Sequence, residues 1–221
     1  MPIVGHILTA LTAYLLGSIP TGFLVAKARG TDIRTIGSGN IGATNVFRYL
    51  GTKAGVFVLL IDALKGWLAV AGLAGLFANW FQGSTDLAAR ERLEIIAGLS
   101  AILGHNFTCW LYFKGGKGIA TSAGVLVGLV PGALLIILAV WVIVFGLSRY
   151  VSLASITASF TLPFATWLTG HTPTMVAITA AMAALAIFKH KSNINRLLSG
   201  TESRFALKKN PTTAATPKST S

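Results

Sequence analysis

Three polar stretches carry the residues that could do chemistry. The first is Gly37-Ser-Gly-Asn-Ile-Gly-Ala-Thr-Asn-Val-Phe-Arg48, with Ser38, Asn40, Thr44, Asn45 and Arg48 set among Gly37, Gly39 and Gly42. Glycines let the backbone approach a ligand closely. Free backbone N–H groups beside an arginine make a cradle for phosphate, which Arg48 can grip with two parallel bonds. The second is Gly104-His-Asn-Phe107, followed by Lys114-Gly-Gly-Lys-Gly-Ile-Ala-Thr121. Here Lys114 and Lys117 stand among Gly115, Gly116 and Gly118 just ahead of an expected helix start, a second anion site by the same logic. It is not a nucleotide-binding Walker loop. Gly118 follows Lys117 where Ser or Thr is required, and Leu111 stands where the first Gly should be. The third runs from Lys189-His-Lys-Ser-Asn193 to Gly200-Thr-Glu202. His190 is its one side chain that ordinarily titrates near neutral pH. The bland alternative for each stretch alone is a solvated loop, with His190 closing a helix at the interface.

These stretches sit between oily segments. Of 221 residues 53% are apolar and only 11% charged, against about 25% charged in soluble domains, and the mean hydropathy is +0.71. The composition predicts an all-α integral membrane protein of one domain, residues 1–204, followed by a disordered tail, 205–221. Eighteen Lys and Arg face six acids. That excess suits lipid headgroups or a phosphorylated substrate. Nucleic acid is excluded, because no basic soluble module exists. The single Cys109 permits no internal disulfide and no cysteine metal site. The N-terminus lacks a cationic region and a cleavage site, so the first segment is expected to stay in the membrane.

The expected segments are Ile3–Ala26, kinked at Gly17-Ser-Ile-Pro20; Ala54–Trp80; Leu93–Phe113; Ile119–Leu147, broken near Pro131 into two short or re-entrant helices; Tyr150–Leu168; and the Ala-rich Thr174–Phe188, suited to close packing. Asp62 and Lys65 lie three apart and read as a structural ion pair near the interface, with Lys65 snorkelling. The connection Gln82–Glu94 carries mixed charge and reads as exposed. Lys and Arg mark the cytoplasmic side. The basic loop Lys27–Lys53, the Lys114–Lys117 loop and the Lys189–Lys209 stretch therefore predict about seven transmembrane helices, some short or broken, with the N-terminus outside and the C-terminus cytoplasmic. A five-crossing version, with Ile119–Leu147 only dipping into the bilayer, is the alternative. All three polar stretches then share one membrane face. That geometry suits joining a soluble phosphorylated substrate to a lipid chain. A membrane transporter for a phosphorylated anionic metabolite is the competing reading, though a transport site belongs nearer the midplane.

Ser38 to Asn45 with Arg48, then Gly104-His-Asn-Phe107 with Lys114 to Thr121, then His190 and Asn193 with Gly200-Thr-Glu202, taken in that order across Leu16–Glu202, resemble the signature stretches of the bacterial acyl-phosphate:glycerol-3-phosphate acyltransferases, the PlsY family. The resemblance implies a multi-pass enzyme of phospholipid synthesis in the bacterial inner membrane, its site facing the cytoplasm. It implies transfer of a fatty acyl group from acyl phosphate to the sn-1 hydroxyl of glycerol 3-phosphate, giving lysophosphatidic acid and phosphate. The partners implied are those two substrates, membrane lipids and an enzyme that supplies acyl phosphate. It implies that Ser38, Arg48, Lys117, His190 and Asn193 are catalytic. Gly37, Gly39, Asn40, Gly42, Thr44, Asn45, His105, Asn106, Lys114, Gly115, Gly116, Gly118 and Ser155 are then expected to bind substrate, with Glu202 structural. No cofactor is implied, and no His, Asp or Glu cluster has metal-ligand spacing.

The chemistry agrees with that expectation. An acyl phosphate is already activated, so the enzyme needs to hold two anions together and stabilise charge on the leaving phosphate and the carbonyl oxygen. Arg48 and Lys117 supply cations; Ser38 with Asn40 or Asn45 supplies donors. Either His190 or substrate phosphate takes the hydroxyl proton. Ser38 lies in no nucleophile elbow. The His-x₄-Asp pair of CoA-dependent acyltransferases is missing, since Leu11, Trp110, Val176 and Asn195 follow the four histidines at that spacing.

Overall fold

The computed structural model describes residues 2–81 and 87–205. Among them every regular element is helical. The helices are α1 Pro2–Ser18, α2 Thr21–Lys27, α3 Ala43–Leu50, α4 Thr52–Trp67, α5 Gly75–Phe81, α6 Leu87–Asn106, α7 Ile119–Leu129, α8 Pro131–Ser148, α9 Val151–Leu168, α10 Pro173–Lys189 and α11 Lys191–Leu198. A π-helical stretch, Leu68–Ala74, joins α4 to α5. Four runs are long and apolar enough to cross a membrane: Ile3–Lys27, Thr52–Phe81, Pro131–Ser148 and Val151–Leu168. α10 and α11 meet the same length and hydropathy only when joined, and they are bent by 58°.

The first long helix breaks at Pro20, which has no N–H to give and crowds the preceding turn. The carbonyls freed there find partners: Thr108 Oγ1 donates to Ser18 O at 2.5 Å and Lys65 Nζ to Ile19 O at 2.9 Å. The run from Ile119 breaks at Val130, and Pro131 opens α8. Helices pair as α1 with α6, α4 with α7, and α8 and α10 with α9. Glycine sets the two tightest pairings. A Cβ on Gly17 would meet Ala101 O at 2.1 Å, one on Gly104 would meet Tyr14 O at 2.1 Å, and one on Gly124 would meet Ala63 O at 1.8 Å. Small residues are what bring membrane helices this close. Val125, Leu126, Val130, Leu162 and Met182 are buried where α7 to α10 converge. Leu135, Val142 and Ile143 on α8 face outward, as lipid contact requires.

Several expected boundaries move. The third helix starts at Leu87, so Arg90, Glu91, Arg92 and Glu94 are helical, with Arg90 and Glu94 paired at 2.9 Å across one turn. It ends at Asn106, and Cys109–Leu111 is a separate 3₁₀ turn. Asp86 lies outside the described residues. α8 has 18 residues and is full length, so only α7, with 11, is short. Lys65 does not snorkel: it is 3% exposed. The Ala-rich α10 packs along α9, and its Ala183 and Ala186 also line a cavity. Of the expected tail, Phe205 is packed, its ring 5.0 Å from Phe47 and 5.6 Å from Phe145. Residues 206–221 lie outside the described residues.

Gly124→Val should force α4 and α7 apart and cost about 1–3 kcal/mol, the range for overpacking. Gly146→Val, where nothing lies within 4 Å of an added Cβ, should leave stability unchanged. Thermal unfolding in detergent checks the pair.

Candidate active site

The residues after α2, after α6 and after α10 meet at one end of the bundle, around two joined cavities. The first is polar, about 370 Å³, and walled by Arg34, Lys114, Lys117, Lys189 and Arg196 with Ser38, Asn40 and Ser192. Among the described residues no carboxylate lines it. The second, about 560 Å³, runs from Ser38, Arg48 and His190 down between α7, α8, α9 and α10 to Leu126, Leu134, Leu162 and Met182. Ser38, Asn40, Lys117 and Arg196 border both. An anion site thus opens directly into an oily slot.

The first loop holds its shape through its own polar groups. Gly37 and Gly39 sit at φ +60° and +67°, the left-handed region that side chains avoid. Asn45 is 3% exposed; its amide donates to Ile36 O and Asn40 O at 3.0 Å, and its Oδ1 accepts from Ser38 N–H at 3.2 Å. Asn45 therefore ties the loop together, and Ser38 and Asn40 remain the donors toward a ligand. Ser38 Oγ accepts from Asn40 N–H at 3.4 Å. Gly42 caps α3, which carries Thr44 and Arg48 to the cavity wall. Arg48 also donates to Ser203 O at 3.0 Å, pinning the end of the third stretch.

Lys117 Nζ donates to Asn193 Oδ1. Asn193 Nδ2 donates to Glu202 Oε1 at 2.7 Å, Ser152 Oγ donates to the same oxygen at 2.7 Å, and Arg196 Nε donates to Oε2 at 2.7 Å. Burial works against the Glu202 carboxylate, but these bonds outweigh it and hold the group below its ordinary pKa. Burial first, then repulsion from Arg196, Arg48 and Lys189, brings Lys117 down to about 8 against the pull of Glu202. His190 sits between α10 and α11, and its Nδ1–H donates to Ala186 O at 2.8 Å. A carbonyl can only accept, so the neutral ring keeps Nε2 as an acceptor. Burial, then the Lys117 charge, pushes His190 down to about 4.

The cavity walls include every residue expected at the site except Asn106. Asn106 is fully buried under Gly118, and its carboxamide has no partner among the described residues. His105 lines the apolar cavity, with its Nδ1 3.0 Å from Lys65 Nζ. Ser155 lies in the apolar cavity only, its Oγ accepting from Trp141 Nε1 at 3.1 Å. Arg34, Lys189, Ser192 and Arg196 join the polar wall although sequence reasoning did not select them. Helical spacing was part of the missed signal: Ser192 and Arg196 lie four apart on α11, and Lys189 ends α10 at the bend just before it. Glu202 is more central than expected, because no spacing rule announces an acid that folds back to meet Asn193.

A cationic cavity that opens into an oily slot between helices defines a multi-pass membrane protein built to bring a small anion against an acyl chain. The family profile described as glycerol-3-phosphate acyltransferase matches residues 7–200. Glycerol-3-phosphate acyltransferases of Geobacter metallireducens and Geotalea daltonii are 51% and 48% identical over 200 residues, 90% of this chain and 97% of each relative. The crystal structure of PlsY, an integral membrane glycerol 3-phosphate acyltransferase, in its glycerol 3-phosphate form superposes with a TM-score of 0.79 at 41% identity, covering 91% of this chain and 96% of that one. Its lysophosphatidic acid form gives 0.77 at 40%, covering 91% and 95%. The chain belongs to the glycerol-3-phosphate acyltransferase family, and it is an integral membrane acyltransferase.

Phosphate binding to the free protein should weaken as pH rises through about 8, because Lys117, with its pKa depressed to about 8, is cationic below that value and neutral above it. Lys117→Arg, whose guanidinium stays charged, should abolish that alkaline limb. Titration calorimetry with glycerol 3-phosphate between pH 6.5 and 9.5 measures both. Glu202→Ala leaves Arg196 and Asn193 without their acceptor, and we expect affinity for the same ligand to fall about tenfold, one charge-assisted bond.

Proposed function

We propose that this chain transfers a fatty acyl group from acyl phosphate to the sn-1 hydroxyl of glycerol 3-phosphate, releasing lysophosphatidic acid and phosphate, at the cytoplasmic face of a bacterial inner membrane. The observation that carries the proposal is the five-cation cavity opening into the apolar slot through Ser38, Asn40, Lys117 and Arg196. The relatives' name and the glycerol 3-phosphate and lysophosphatidic acid forms of PlsY support the acceptor and product. The sequence motifs support the donor, as does the missing His-x₄-Asp pair of CoA-dependent enzymes.

In this reading the acyl chain lies in the slot and both phosphates lie among Arg34, Arg48, Lys114, Lys117, Lys189 and Arg196. The glycerol hydroxyl donates to His190 Nε2, which orients its oxygen toward the acyl carbonyl. The C–O ester bond forms, the C–O bond to phosphate breaks, and no acyl-enzyme is needed. Ser38 Oγ and Lys117 stabilise the charge on the carbonyl oxygen and the leaving phosphate. A ring held at about 4 is a weaker base than phosphate, whose second pKa is about 6. The proton therefore ends on the departing phosphate, and His190 serves chiefly to orient.

The same reading carries seven crossings. They are α1 with α2, α4 through α5, α6, the short α7, α8, α9 and α10, with the N-terminus outside and the C-terminus cytoplasmic. The basic loops on the site's face support that orientation. In a Cys109→Ala background, Arg204→Cys should react with a membrane-impermeant maleimide only after spheroplasts are opened, and Ile3→Cys should react before. The reverse pattern would invert the topology.

The donor test is phosphate release by the purified protein, with EDTA present, from glycerol 3-phosphate and either palmitoyl phosphate or palmitoyl-CoA. We expect phosphate and 1-acyl product from the acyl phosphate alone. Ser38→Ala and Arg48→Ala, folded, should each lose at least about 100-fold, the scale of removing one transition-state donor. Turnover with palmitoyl-CoA alone would overturn the donor.

A further inference from the structure

We propose that Asp62, Lys65 and His105 form a positioning unit that sets where the Gly115–Gly118 loop holds Lys117; the inference rests on the reading of Lys117 as a phosphate-holding cation. The Lys65 ammonium donates to three acceptors on three separate elements. They are Asp62 Oδ1 on α4 at 2.7 Å, Ile19 O at the break between α1 and α2 at 2.9 Å, and His105 Nδ1 near the end of α6 at 3.0 Å. An ammonium has three donors and no lone pair, so all three are used and His105 Nδ1 must accept. The imidazole is therefore neutral, with its proton on Nε2. Asp62 Oδ1 takes a further bond from Thr21 Oγ1 at 3.0 Å, which fastens the start of α2. All three residues are at most 5% exposed.

The unit continues into the loop. His105 O accepts from Gly116 N–H at 3.0 Å and Asn106 O accepts from Gly115 N–H at 3.2 Å. A Cβ on Gly116 would fall 2.1 Å from His105 Nε2, and one on Gly115 would fall 2.0 Å from His105 O. The loop is thus seated on the imidazole with no spare room, and Lys117 is the next residue. Asp62 and His105 also reach the wall of the apolar cavity. Stability alone does not call for such a cluster, since apolar pairs of similar volume commonly replace buried ion pairs without loss. What an apolar pair lacks is direction. Three fixed bonds on one ammonium set the ring, and the ring sets the loop.

The test compares the parent, Asp62→Leu/Lys65→Met, Lys117→Ala and the triple variant, all purified in detergent. We expect the double variant to keep its melting temperature and lose about tenfold or more in turnover. Lys117→Ala should then cost several-fold less in that background than in the parent, because coupled groups do not add. Hydrogen exchange should show the Gly115 to Gly118 amides opening about tenfold faster while α9 is unchanged. A Lys117→Ala penalty equal in both backgrounds would sink the proposal, and so would unaltered loop exchange. A purely structural cluster would move neither readout in a folded variant. If the double variant does not fold, His105→Gln goes through the same comparison against the same outcomes. Loop exchange needs no turnover, so an unaltered loop counts against this inference alone. A Lys117→Ala protein that keeps full activity in the parent background counts instead against the reading of the site.

Discussion

The Lys65 ammonium is nearly sealed from solvent in the middle of a membrane helix, and everything around it answers that constraint. A buried charge with a missing partner costs about 3–5 kcal/mol, so its three donors must all find acceptors. They find a carboxylate one turn earlier, a carbonyl released by the Pro20 break, and an imidazole at the end of α6. The break in the first helix is thereby stabilised rather than merely tolerated. Ile19 O accepts from the Thr21 backbone N–H at 3.0 Å as well as from Lys65, so the freed carbonyl is doubly held.

The same accounting repeats at the candidate site with the opposite outcome. Lys117 and Arg196 share one acid, Glu202, reached by Arg196 directly and by Lys117 only through Asn193. Arg34 has its own carboxylate, Asp32, 2.6 Å away. Lys114, Lys117, Lys189 and Arg196 still line a cavity with no acid among the described residues of its wall. Mutual repulsion is part of what lowers Lys117. A bound phosphate would relieve that repulsion. Interior cations on the structural side are fully paired; those on the chemical side are left short of anions.

How much of this was legible in the sequence depended on the range of the interaction. The breaks at Pro20 and Pro131 are local consequences of proline geometry, and both stand where the residues put them. The three polar stretches were readable because glycine, asparagine and cations cluster in the chain itself. Lys65 was misplaced because snorkelling and burial look alike in sequence. The deciding partners, Ile19 O and His105, lie 46 and 40 residues away. Glu202 was undervalued for a related reason: its partner Ser152 is 50 residues earlier, although Asn193 and Arg196 are near. Asn45 looked like a ligand donor because its type allows it; only the folded loop shows its amide already committed.

The division of labour between the two cavities explains why the site needs so little conventional catalytic equipment. An apolar wall removes water, which strengthens every charge interaction at the polar end. His190 loses basicity to that same burial, so a mechanism that relied on it to keep a proton would work against the environment that makes the rest effective. In the proposed reaction a phosphate leaving group would avoid the conflict by carrying its own base into the site. Such an activated, self-basic donor would let the protein use its polar residues for position alone. It is consistent that the polar residues at the site are fastened in place: the Ser38 backbone N–H by Asn45, Lys117 by Asn193, Asn193 by Glu202, and the His190 ring by Ala186 O.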